Sequence, residues 1–261
     1  MTRLLRTALL LLCVPALLNP SESTQTEARS SKIWIGKYRE IEEYLKTAEC
    51  VSIKVFPQKH AARCTLRPGG PVDRMAWRTN PPGPSRGFVE SYKTEIAAYE
   101  LDKLLEMDMV PPTVERELEG DKGAAQLWVE NVVDGTNAGS PSRAEQKHWK
   151  SQLVRMKMFD NLVGNRDRNM GNVLRDRAWN LILIDHSRAF GTDVGLPGKT
   201  DEIDEAYWSR IEKLTPGQLN TALSAWLNAA QIKAILDRRE KMRADFRVRV
   251  KQRRIVPSMK G

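Results

Sequence analysis

The sequence predicts an α+β protein in two lobes, a small antiparallel sheet followed by a mainly helical part. Three observations predict it. Between Cys50 and Val132, short alternating runs are separated by Pro- and Gly-rich punctuation. A single long helical period, in "FVESYKTEIAAYELDKLLEM", interrupts those runs. From Arg143 onward the apolar spacing is helical, except for one polar stretch that leads into a compact apolar run.

The elements follow in order. "IGKYREIEEYLKTAE" has apolar residues at Ile35, Tyr38, Ile41 and Leu45, the spacing of a helix. "CVSIKVF" alternates, which places Val51, Ile53 and Val55 on one face of a strand. "ARCTLR" and "DRMAWR" are further short strands. The interrupting helix carries Ile96, Tyr99, Leu104 and Leu105 on its apolar side, and stops before "VPP". Asp102 on that helix is expected to face solvent. "PTVEREL" and "AAQLWVENVV" return to strand character, separated by "EGDKG". "DGTNAGSPS" reads as a linker, so a cleft is expected near residues 133–142, where ligands are often bound between lobes. "RAEQKHWKSQLVRMKMFDNLV" is a long helix, and Thr215-Pro216 opens another with Pro in its first turn.

The N-terminus differs from the body. Arg3 and Arg6 precede the apolar run Ala8 to Leu18, and a Pro- and Ser-containing segment follows. This is the layout of a secretory signal peptide. The run is short for a membrane anchor, and the remaining chain has no segment suited to crossing a bilayer. Export would remove Cys13 and leave Cys50 and Cys64, which flank a candidate hairpin. In an oxidising compartment they can pair, or they can stand as two buried thiols.

The net charge is +9, with much of the excess in "RREKMRADFRVRVKQRR". Such a run suits anionic surfaces. Few aromatics interleave with it and no base-reading motif is present, so a nucleic-acid partner is not expected. A solvated helix face with a basic end is the simpler reading. Three histidines, His60, His148 and His186, are too scattered for a metal cluster. His186 reads as a cleft-side neighbour of Asp185 with no catalytic role. Trp77, Trp128 and Trp179 read as core or hinge packing. Arg166 either orients the polar loop or makes a surface ion pair.

The chemistry concentrates in "GNRDRNMGNVLRDRAWNLILIDHSRAFG". Asp167 and Asn172 are five positions apart, and Asp185 follows thirteen later at the end of "LILID". A loop carboxylate can receive a hydroxyl proton, while an amide and a carboxylate oxygen suit a hard divalent cation. These are the parts phosphoryl transfer requires, and the spacing fits a catalytic-loop Asp and Asn with a later metal-binding Asp. Upstream, Arg78 ends a strand and Glu95 lies on the next helix, a cation and an acid placed to pair.

With these residues in hand, "KTEIAAYELDKLLEMDMVPPTVERE", "LVGNRDRNMGNVL" and "LILIDHSRAFG" resemble the atypical secreted kinases, the group of the Golgi casein kinase and the glycosaminoglycan xylosylkinase. The chain is also similar to phosphatidylinositol 3-/4-kinase-like catalytic domains and to HipA-type kinases. The resemblance covers most of residues 50 to 245. It implies a two-lobed protein-kinase-like fold with ATP and Mg²⁺ or Mn²⁺ between the lobes. It implies Asp167 as the catalytic Asp, Asn172 and Asp185 as metal ligands, and Arg78, positioned by Glu95, as the phosphate-binding cation. "QLWVENV" would be the adenine-side hinge, with Glu130 and Val132 as candidate contacts. The domain boundaries expected are a signal peptide at 1–23, a leader and helix at 24–49, an N-lobe at 50–134, a C-lobe at 135–250 and a basic tail at 251–261.

Three departures from the pattern are visible. Arg78 stands where such families usually carry Lys, and the two cations are not interchangeable. "DHS" replaces D-F-G. "FPQKHAAR" has no glycine to cover phosphates, a task open to Lys54, Lys59 and Arg63. The expected function is an exported, metal-dependent phosphotransferase that moves the ATP γ-phosphate to a hydroxyl of a protein, glycan or lipid. The secretory-pathway lumen would supply its ATP. The alternative is a pseudokinase that binds a nucleotide, glycan or protein.

Overall fold

The computed structural model describes residues 30–56, 61–85, 88–251 and 256–257. The segment expected to be a signal peptide, Lys59, His60 and most of the basic tail lie outside the described residues.

The first lobe begins with α1 (Tyr38–Thr47), then β1 (Cys50–Phe56), β2 (Ala61–Leu66), β3 (Arg74–Arg78), a small hairpin of β4 (Gly83–Ser85) and β5 (Phe88–Glu90), α2 (Tyr92–Leu104), β6 (Thr113–Leu118) and β7 (Asp121–Leu127). Five strands form one antiparallel sheet in the order β1-β2-β3-β7-β6. The β6–β7 turn is Glu119-Gly120, both at positive φ, the backbone that a two-residue hairpin loop needs. The remaining residues of "EGDKG" therefore belong to β7.

One face of this sheet is covered. Ala62, Cys64, Met75, Trp77, Ala125 and Leu127 pack with Trp34, Ile41 and Leu45 from the N-terminal segment and α1. The opposite face carries Lys54, Arg63, Ala76 and Gln126, which lie side by side across the register. Val51 and Val55 do not share a buried face with Ile53. They are 48% and 61% exposed, because β1 is an edge strand with an irregular register at its start. Ile35 is likewise exposed, before the helix begins. Cys50 and Cys64 form a disulfide that joins β1 to β2, with 5.8 Å between their Cα atoms.

The second lobe holds β8 (Val133–Asp134), α3 (Gln146–Val163), β9 (Val173–Arg175), β10 (Leu181–Leu183), β11 (Glu202–Ile203), α4 (Glu205–Lys213), α5 (Pro216–Leu223) and α6 (Ala229–Lys251), with β12 (Val256–Pro257) beside β11. Thr215 and Gln218 make a reciprocal capping box at the start of α5, with Pro216 in the first turn. The apolar faces of α2, α3, α4, α5 and α6 share one core around Phe159, Leu162, Phe190, Ile211 and Ile235.

Two further expectations fail. Asp102 is buried, and its Oδ1 accepts the backbone N–H groups of Met109 and Val110. It caps the chain after α2 because that helix is enclosed on nearly every side. The tail helix is not simply a solvated face either. Arg238 is fully buried and donates to the carbonyls of Leu162, Gly191 and Asp193. Among the described residues, no helix is long and apolar enough to cross a membrane.

Candidate active site

A cleft of ≈ 520 Å³ opens between the lobes. Phe56, Ala61, Ala76, Gln126 and Leu127 line it from the sheet, residues 128–132 from the connecting segment, and Gly171, Leu174 and Ile184 from the helical lobe. Arg78 borders it from the end of β3. Arg78 is held close by its neighbours. Gly123 of the adjacent strand passes so near that a Cβ there would meet the Arg78 carbonyl oxygen at 2.4 Å.

The strand cation and the helix acid come together. Arg78 Nε lies 3.5 Å from Glu95 Oε1, and Nη1 lies 3.5 Å from Asp185 Oδ1. Glu95 is 1% exposed. Burial lifts its carboxyl to about 7 against the attraction of Arg78. Glu95 Oε1 and Arg78 Nε have no hydrogen-bond partner among the described residues. The pair is thus an ion pair without a hydrogen bond between the two groups.

α2 is fixed to the Asp185 loop at its first turn. Ser91 caps the helix by accepting from the Lys93 N–H, and its own N–H donates to Ser187 O at 2.9 Å. Thr94 Oγ1 donates to the same carbonyl at 3.0 Å. Glu95 Oε2 accepts the His186 N–H at 2.9 Å. Asp185 itself adopts φ 60°, a left-handed conformation that costs a non-Gly residue roughly 1 kcal/mol and that Asp tolerates better than most.

The polar loop starts where α3 ends, at Gly164 with φ 69°. Asp167 follows, its N–H bonded to Asn165 Oδ1 at 3.1 Å. Asn172 closes a 3-10 turn spanning Met170–Asn172, and its carbonyl accepts the Ile184 N–H, which places it beside the strand that ends at Asp185. An amide and a carboxylate oxygen form a donor set suited to Mg²⁺ or Mn²⁺, which take few protein ligands and complete their shell with water and phosphate oxygens. Among the described residues, no group of three or more His, Cys, Asp or Glu side chains makes a denser metal site.

Two arginines that organise this loop escape notice in the sequence. Arg168 donates to both oxygens of Asp160 on α3, to Asn172 O at 3.0 Å and to Ile184 O at 2.7 Å. Its remaining nitrogen lies 2.8 Å from His186 Nε2. A guanidinium only donates, so His186 Nε2 accepts and the proton sits on Nδ1. Burial and the nearby guanidinium groups hold this histidine well below its usual pKa, hence neutral. His186 is fully buried behind the cleft and does not line it, contrary to expectation. Arg188 links Asp167 Oδ2, at 2.9 Å, to Glu90 Oε1, at 2.7 Å. The signal available for both was position: Arg168 follows Asp167 directly, and Arg188 follows Asp185 by three. Arg166 makes the surface pair, with Asp193 at 2.6 Å.

At the connecting segment, Glu130 and Val132 both line the cleft. The Glu130 carboxylate is paired with Arg74. Arg63 lies over the Trp128 ring at 5.4 Å and Arg74 at 5.7 Å, so Arg63 is drawn toward this segment. Trp128 is a hinge residue, while Trp77 and Trp179 are buried.

The architecture defines an atypical-kinase-like fold, and comparison with solved structures bears this out. The chain superposes on the Golgi casein kinase with Mn/ADP bound at a TM-score of 0.59, with 15% identity over 80% of this chain and 75% of that one. It superposes on hydra Fam20 with sugar at 0.61, with 14% identity over 84% of this chain and 91% of that one. At such identities the likeness is one of fold. No family model matches the sequence, and no curated protein matches it.

Proposed function

We propose that the protein is an exported, metal-dependent phosphotransferase that moves the ATP γ-phosphate to a hydroxyl acceptor. The observation that carries the reading is the meeting of Arg78, Glu95 and Asp185 within 3.5 Å contacts at the edge of the interlobe cleft. The adenine ring would lie between Ala76 and the Leu174–Ile184 floor, against the segment containing Glu130 and Val132. Asn172 and Asp185 would hold Mg²⁺ or Mn²⁺. When bound, the metal supplies charge neutralisation for the phosphates.

The chain's own groups do the rest. Arg78 would bind a phosphate oxygen while held beside Glu95, which is itself fixed by the His186 N–H. Asp167 accepts or orients the acceptor's proton. α2 and the Asp185 loop are joined at the inner end by the backbone bond from the Ser91 N–H to the Ser187 carbonyl. The lobe boundaries at 50–134 and 135–250 are proposed with this reading. Export is supported by the Cys50–Cys64 disulfide, a bond of oxidising compartments.

The second reading, a nucleotide-binding pseudokinase, is favoured by the glycine-free "FPQKHAAR" and by Arg78 in place of Lys. A γ-phosphate transfer assay on wild type, Asp167→Ala and Asp185→Ala separates the two. Loss of transfer in both variants supports the enzyme, and equal activity in all three refutes it. Metal-dependent binding without transfer supports the pseudokinase.

A further inference from the structure

We infer that Arg188 is a positioning residue that couples the orientation of Asp167 to the docking of the sheet lobe, an inference that rests on the catalytic role proposed for Asp167. Arg188 Nη1 donates to Asp167 Oδ2 at 2.9 Å. Its Nε and Nη2 meet Glu90 Oε1 at 2.7 and 2.6 Å. Glu90 ends β5, so the contact crosses from one lobe to the other. The other Glu90 oxygen accepts from Asn80 Nδ2 at 3.0 Å, and the Asn80 carbonyl accepts the Tyr92 N–H at 2.8 Å. Tyr92 is the first residue of α2, the helix that carries Glu95. One chain of contacts therefore runs from the start of α2 through Asn80 and Glu90 to Arg188 and Asp167.

Burial sets the direction of control. The Glu90 side chain is 9% exposed and that of Asp167 is 38% exposed. The enclosed Glu90–Arg188 pair is the rigid end, and the more open Asp167 carboxylate takes its orientation from it. A planar guanidinium serves two acids in different directions at once, which a single ammonium does much less well. With α2 displaced, Glu90 and Arg188 would shift together and Asp167 would lose its rotamer. The two halves of the proposed site would then be set or unset as a unit.

The test uses the full chain with its disulfide intact, and ATP with Mn²⁺ as the probe. Glu90→Gln and Arg188→Ala are expected to lower kcat for ATP turnover by about 100-fold, the cost of a misplaced group. KM for ATP and the affinity for Mn²⁺ with ADP should stay within about twofold of wild type, because no ground-state contact is removed. The double variant should be no slower than Arg188→Ala alone, and Arg188→Lys should not restore the rate. A wild-type kcat in Glu90→Gln overturns the inference. So does a tenfold loss of Mn²⁺–ADP affinity in Arg188→Ala, which would make Arg188 a phosphate ligand. If the wild type turns over no ATP, the phosphotransferase reading fails by itself, and melting temperatures judge the coupling. Shifts in the double variant that fall short of the sum of the singles support one unit, and additive shifts overturn it. Should Arg188→Ala not fold, Glu90→Gln and Arg188→Lys carry both readouts.

Discussion

Glu95 accepts the backbone N–H of His186 at 2.9 Å, so a helix of the sheet lobe is bonded directly to the residue after Asp185. The neighbouring bonds from Ser91 and Thr94 to the Ser187 carbonyl reinforce it. The clamp consists entirely of protein groups. It holds the ion pair of Arg78 and Glu95 and the Asp185 carboxylate in one arrangement.

The Glu95 carboxyl gives this clamp a pH signature. Burial lifts it from 4.5 to about 7. Between those values the folded chain keeps a proton that the unfolded chain has lost, so this group's contribution to stability falls as pH rises through the window. At 1.36 kcal/mol per pKa unit the effect is roughly 3 kcal/mol. Glu95→Gln does not titrate. Its stability relative to wild type should therefore improve by about that amount from pH 4.5 to 8 in urea unfolding. A constant difference across the range would contradict the assignment.

Removing the cation should be costly. Arg78→Ala leaves two carboxylates facing each other in a partly enclosed site, and loss of one partner of a buried pair costs about 3–5 kcal/mol. Arg78→Lys keeps the charge and should lose clearly less. Chemical denaturation of both variants checks the ranking, which equal losses would contradict.

Arg168 should matter as much to folding as any core residue. Its bonds to Asp160, Asn172 O and Ile184 O hold the polar loop between α3 and β10. Arg168→Ala leaves Asp160 buried without its counter-ion, with Asn165 Nδ2 its remaining donor, and is expected to destabilise by about 3 kcal/mol or more. Hydrogen exchange should show the gain in opening centred on residues 165–173 and 184–187. Uniformly unchanged protection there would argue against its bracing role.

The disulfide closes a loop with a separation of 14 residues. The double variant Cys50→Ala/Cys64→Ala should lose about 3 kcal/mol, the value expected for a cross-link of this size. Reduction of the wild type should give the same loss, and an unchanged midpoint under reducing conditions would contradict it.

Much of this molecule was legible in the chain. The period of the apolar residues located β2, β3 and α1, because those elements do alternate between core and solvent. The Arg78–Glu95 pairing was legible because a strand end and the first turn of the next helix constrain each other. Asp102 was misread for the opposite reason. α2 is buried on nearly all sides, so a polar residue on it has no solvent face to occupy. Arg168 and Arg188 were hidden because their partners are set by folding. Arg188 meets Glu90 across 98 residues, and no local pattern distinguishes it from the chain's other arginines. Residues 57–60 lie outside the described residues, so only the flanking Phe56–Ala61 pairing bears on how phosphates would be covered.

Calorimetric titration of the full chain with ADP tests the proposed metal-dependent nucleotide site between the lobes most directly. Wild type should bind ADP in the presence of Mn²⁺ or Mg²⁺ and lose that binding on chelation, while Asp185→Ala should fail to bind under either condition. Failure of wild type to bind any nucleotide with either metal would contradict the account, as would equal binding by Asp185→Ala.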